Sequence, residues 1–145
     1  MIRVSCECDP SLKMPDTSFL EKTVKKFFNI YNVKDSDLQF IFGTDDLLSS
    51  LKKEFFNKDQ FTDVIAFRLN DYRIQTVEGE IYISLPRAKE NAKLYGESYE
   101  KEVSRLIVHG CLHLLGFNDD SKIEKKKMTK MEDEFLGQIN WENIF

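Results

Sequence analysis

Two runs rich in β-branched and aromatic residues, Thr62–Leu69 and Val77–Leu85, restrict the fold more than any other part of this chain. Side chains on a strand point alternately to opposite faces, and both runs have the length and bounding turn residues of strands. The connection between them is short and polar, which is compatible with an antiparallel pair. The rest of the chain has to be arranged around that pair.

Ile2–Cys8 alternates and reads as another strand, set off by Asp9–Asp16 with Pro10 and Pro15. Leu20, Val24, Phe27, Phe28 and Tyr31 then keep helical spacing, with Asp16, Thr17 or Ser18 as the cap. Leu38–Gly43 reads as a strand. Thr44 or Asp45 opens a helix with Leu47, Leu48, Leu51 and Phe55 on one face. After the strand pair, Pro86 sits in the first turn of a helix that Gly96 ends, and Ser98 caps a helix that runs to Gly116. A last helix covers about Ser121–Phe135, with Met128, Met131 and Phe135 inward. The order β-α-β-α-β-β-α-α-α predicts an α/β fold: a single domain in which a small mixed sheet of about four strands packs with about five helices.

The chain has 145 residues, enough for one domain to bury a core without staples. Apolar residues make up 41% and charged residues 32%, which fits neither a disordered nor a membrane-spanning protein. The opening MIRVSCECDPSLKMPD is too polar for an export signal, so a cytoplasmic location is expected, with no membrane partner. Three cysteines cannot all pair, and reduced thiols suit them best; Cys6 and Cys8 share one strand face, where small side chains pack. A formal net charge of −4 argues against holding nucleic acid by bulk electrostatics, so any such contact has to be local. Lys125, Lys126 and Lys127 are followed by Glu132, Asp133 and Glu134 and read as the solvated face of the last helix.

The only two histidines, His109 and His113, stand four apart in VSRLIVHGCLHLLGFNDD. On a helix that spacing puts both imidazoles on one face with Cβ atoms about 5–6 Å apart, close enough to share a metal ion. Gly116 suits the left-handed position after a helix end, which lets Phe117, Asn118, Asp119 and Asp120 fold back toward the same face. Two imidazoles and a carboxylate make a three-ligand site with an open position, the arrangement of a catalytic zinc. Packing or hydrogen bonding of a histidine pair is the plainer alternative. Zinc proteases carry glutamate directly after the first histidine; Gly110 stands there, so proteolysis lacks its proton acceptor.

HGCLHLLGFND, His109–Asp119, resembles the H-G-x-L-H-L-x-G-Y-D-H signature of the YbeY endoribonucleases, bacterial proteins of ribosomal RNA maturation. Thr62–Phe67 is similar to that family's T-D-V-L-S-F strand, and Gly79–Ser84 to its G-D-I-x-I-S strand; length and element order agree over nearly the whole chain, 1–145. The resemblance implies one zinc ion per chain on His109, His113 and Asp119, with nickel or another divalent metal able to replace it. It also implies cleavage of ribosomal RNA, notably at the 3′ end of the small-subunit RNA, with the small ribosomal subunit as partner.

Two positions depart from the family. Asp119 stands where the third ligand is usually histidine, which leaves a zinc centre with a charge of about +1 instead of +2. Phe56 stands where many members carry a functionally important arginine, and Lys58, Arg68 and Arg87 are the candidate replacements. Asp63 is the candidate for orienting a ligand or water, with a structural turn role as its alternative. Two other functional classes stay open on sequence alone: an assembly factor with a structural metal, and a hydrolase of some smaller substrate.

Overall fold

A computed structural model describes residues 1–145. Strands β1 (Ile2–Cys8), β2 (Ser36–Gly43), β3 (Val64–Arg68) and β4 (Val77–Ser84) form one sheet in the order β1-β2-β4-β3. Helices are α1 (Thr17–Ile30), α2 (Asp45–Phe56), α3 (Leu85–Tyr95), α4 (Tyr99–Leu114) and α5 (Lys122–Leu136), and a short 3-10 turn covers Trp141–Asn143. The expected single α/β domain, with a four-stranded mixed sheet and five helices, is what the chain forms. β1 and β4 each run parallel to β2, while β3 pairs antiparallel with β4 as their short connection requires.

Local chemistry explains the element ends. Asp16 accepts from the Phe19 N–H, Thr44 from Leu47, Ser84 from Arg87, Ser98 from Lys101 and Ser121 from Glu124, so every α-helix begins on a side-chain cap. Asp120 is exposed, and the cap of α5 is Ser121 in a capping box with Glu124. Gly96 ends α3 in the left-handed region at φ +65°.

The core lies on one face of the sheet. Phe40 and Ile81 from β2 and β4 meet Phe27 and Phe28 of α1 and Leu106 and Ile107 of α4, all essentially without solvent exposure. Helix α4 can lie this close because its Gly110 faces Ile81: a Cβ there would stand 2.7 Å from the isoleucine Cγ2. The absence of a glutamate after His109 thus has a packing reason.

Helix α2 differs from its expected packing. Leu48 is fully buried, but Leu47 and Phe55 are exposed, because the helix crosses only part of the sheet's opposite face. Phe55 and Phe56 there meet Phe67 of β3, which lies edge-on to Tyr82 of β4.

Candidate metal centre

The centre starts from the end of α4. The Gly116 N–H donates to the His113 carbonyl and the Phe117 N–H to the Leu112 carbonyl, with Gly116 at φ +96°. This six-to-one and five-to-two pattern reverses the chain within two residues, as the glycine's position predicts. It brings Asp119 back over the histidine face. Asp119 Oδ2 lies 3.3 Å from His109 Nε2, and Oδ1 lies 3.5 Å from His113 Nε2. The two Nε2 atoms are 3.0 Å apart, and one donor atom from each of the three residues lies within 4.8 Å of the others.

The outward-facing ring nitrogens decide what the inner ones can do. His109 Nδ1 is 2.6 Å from Oε2 of Glu132, whose carboxylate is 2% exposed and can only accept. The Phe117 backbone favours a proton on the His113 imidazole. A proton on each outward Nδ1 would leave the Nε2 lone pairs facing one another and the Asp119 carboxylate, an arrangement that a cation between them stabilises. Burial, then the neighbouring His109, pushes the His113 imidazole below its ordinary pKa against the opposing pull of Asp119, which favours the neutral, ligating form. Two imidazoles and a carboxylate converging within 4.8 Å are the donor set of a divalent cation, so these residues fit a metal.

Behind the histidines lies a buried charged network that the sequence reading missed. Arg105 Nε and Nη2 donate to the two oxygens of Glu102 at 2.7 and 2.8 Å, and Nη1 donates to Oε1 of Glu132 at 3.3 Å. Burial works against the Arg105 charge, but Glu102, Glu132 and Asp63 outweigh it and raise its pKa further. Asn91 Nδ2 bridges Glu102 Oε2 at 3.0 Å and Asp63 Oδ2 at 2.9 Å. Glu132 follows His109 by more than six helical turns' worth of chain, and no local pattern signals it.

The three candidate ligands open on a pocket of about 300 Å³ that also involves Lys52, Phe56, Asp63, Tyr72 and Asn118. Asp63 therefore sits in the pocket wall, held through Oδ2 by Asn91; its backbone carbonyl also accepts from the Ser84 N–H. None of the three cations considered as the arginine replacement reaches this pocket as a free charge. Arg68 Nη1 donates to the Leu114 carbonyl at 2.7 Å and its other nitrogens hold the 69–76 connection. Arg87 is paired with Asp45 at 2.9 Å, and Lys58 is exposed outside the lining. The cation that lines the pocket is Lys52, four residues before Phe56 on the same face of α2, with Nζ 4.8 Å from the Phe56 ring centre.

Comparison with known proteins gives the family. The family described as Endoribonuclease YbeY matches residues 9–140. A protein named Endoribonuclease YbeY from Amoebophilus asiaticus is 32% identical over 88% of this chain and 86% of its own length. One of the same name from Halalkalibacterium halodurans is 40% identical over 69% of this chain and 70% of its own. A protein from Thermotoga maritima solved in solution superposes with a TM-score of 0.60 at 30% identity, covering 95% of this chain and 91% of that one. A match over most of the length, with the histidine-bearing helix and its returning turn inside it, means that the chain belongs to the YbeY endoribonuclease family.

Proposed function

We propose that this chain, as one functional unit over 1–145, is a zinc-dependent endoribonuclease. In this reading it cuts single-stranded RNA during ribosomal RNA maturation, at the 3′ end of the small-subunit RNA and in association with the small ribosomal subunit. The observation that carries the reading is the convergence of His109, His113 and Asp119 in an open pocket of a chain from an endoribonuclease family.

His109, His113 and Asp119 are the residues to hold the ion; nickel or another divalent metal suits the same donors in vitro. A bound divalent ion supplies Lewis acidity and lowers the pKa of an attacking water. The chain's own groups do the rest. Glu132 fixes the His109 tautomer and ring orientation. Lys52 brings an ammonium into the pocket, where it can bind a phosphate oxygen. Asp63, anchored through Oδ2, keeps Oδ1 free of protein hydrogen bonds and available to orient a water or a sugar hydroxyl.

The test is cleavage of a defined single-stranded RNA and its duplex by purified protein, with and without a chelator. Cleavage confined to the single strand, lost with chelator and restored by zinc, is expected. Chelator-insensitive cutting would refute the role of the ion. Tight binding to ribosomal particles without any cleavage would favour an assembly factor with a structural metal.

A further inference from the structure

The pocket has a second chemical character besides its ligands: exposed aromatic rings held in fixed positions. Phe56 and Tyr72 both line it and are 44% and 59% exposed. Each ring has a neighbour against it. Phe56 closes α2, whose end is fixed by Asn57 in the left-handed region at φ +52°. One face of its ring lies nearly parallel to Phe67, with centres 5.9 Å apart and planes at 20°. Tyr72 belongs to the 69–76 connection, which Arg68 organises by donating to the carbonyls of Asp71, Ile74 and Thr76 while its Nη1 holds Leu114 at the end of the histidine helix. Asn70 adds bonds to the Thr76 carbonyl at 2.7 Å and from the Glu78 N–H at 3.1 Å. The Arg68 guanidinium lies 5.0 Å from the Tyr72 ring centre.

We infer that Phe56 and Tyr72 are a base-stacking platform, taking the unpaired bases on either side of the phosphate that enters the pocket beside His109, His113 and Asp119. The inference rests on the RNA reading of the site and names the part of the RNA that these walls recognise. Flat, rigidly backed rings beside a cation are the surface on which single-stranded nucleic acid stacks without sequence preference. A protein partner's apolar plug fits poorly, because the same pocket holds Lys52, Asp63, Asn118 and Asp119, which such a plug would bury unpaired. Charge supplies the independent argument. A net charge of −4 argues against collecting RNA by bulk backbone attraction, and Lys52 is the one cation in the pocket lining. Stacking needs no net charge, so it adds affinity to the local phosphate contacts of the pocket.

The experiment measures binding of metal-loaded protein to an unstructured 2′-O-methyl oligonucleotide and to a counterpart lacking the bases that flank one phosphate. Phe56→Ala and Tyr72→Ala are each expected to weaken binding of the intact oligonucleotide by about tenfold or more. Both should keep full metal content and bind the abasic strand as the unaltered protein does. Phe56→Trp and Tyr72→Trp should bind normally. The salt dependence should be shallow, with a slope of roughly −0.7 to −1.4, the value for one or two neutralised phosphates. Unaltered protein that binds intact and abasic strands equally well, or alanine variants with unchanged affinity, overturn the platform while leaving the nuclease reading standing. Unaltered protein that neither binds nor cuts any RNA refutes the nuclease reading itself.

Discussion

Glu132→Gln separates the metal centre from the stability of the fold, because its two effects have different sizes. In the native chain Oε2 accepts from His109 Nδ1 at 2.6 Å and Oε1 accepts from Arg105 at 3.3 Å, both out of solvent. A glutamine fits the space, and its one carbonyl oxygen can still accept from His109. Its amide NH2 then faces the Arg105 guanidinium, donor against donor, and the remaining bond to the imidazole loses its charge. Outer carboxylates on ligating histidines typically control metal affinity by about 10–100-fold, roughly 1.4–2.7 kcal/mol. The metal-free fold should lose less. Two buried carboxylates, Glu102 and Glu132, share one arginine, so removing one charge relieves part of an excess while it loses the Arg105 bond and weakens the His109 bond. A change within about 1 kcal/mol is expected for the metal-free protein. Competition with a chromophoric chelator gives the affinity, and thermal melting with and without zinc gives the coupling. Each tenfold loss of affinity removes about 1.4 kcal/mol of metal-linked stability, so the rise in Tm on adding zinc should shrink by roughly 3–6 °C. Unchanged zinc affinity in a folded Glu132→Gln protein would refute the argument. A metal-free protein destabilised by more than about 3 kcal/mol would show that Glu132 serves the fold before the site.

Asp119→Ala should lower metal affinity by roughly tenfold or more. Asp120→Ala should leave metal content unchanged and stability within about 0.5 kcal/mol, since Ser121 caps α5; metal analysis showing the reverse pattern would place the third ligand one residue later. Asp119→His should retain metal and move the acidic limb of the activity profile to lower pH, because a centre of about +2 acidifies water more strongly than one of about +1. Gly110→Ala should destabilise by about 1–3 kcal/mol in urea unfolding: the new methyl meets Ile81 Cγ2 at 2.7 Å, and this outweighs a helix-propensity gain of about 1 kcal/mol. Equal or greater stability would mean that α4 and β4 can separate without cost. Cys111 is fully buried and burial pushes its thiol well up, so mass spectrometry after alkylation of native protein should find it unmodified while Cys6 and Cys8, which are partly exposed, react; modification at Cys111 before unfolding would contradict the packing of α4.

What was legible in the sequence is what neighbouring residues decide among themselves. The strand Ile2–Cys8, the caps at Ser98 and Thr44 and the shared face of His109 and His113 all follow from contacts a few residues apart. The reversal at Gly116 is equally local: a residue at φ +96° without a Cβ, whose N–H closes on His113 while that of Phe117 closes on Leu112. These features carried the histidine pair and a returning turn with two aspartates; the family spacing singled out Asp119 over Asp120. Only the tertiary structure decided that β4 lies between β2 and β3, since hydrophobic period fixes which face of a strand is buried and leaves its neighbours open. The same holds for the groups around the ligands. Glu132 reaches His109 because α5 packs against α4, and Lys52 enters the pocket because α2 ends beside β3. Phe55 has a core residue's spacing yet is exposed, because α2 covers only part of its sheet face. Arg68 and Arg87 look free in the sequence and are committed in the fold, to carbonyls of the 69–76 connection and to Asp45. A charge's availability depends on every group that folding brings within about 4 Å of it, and that set is fixed only when distant segments pack.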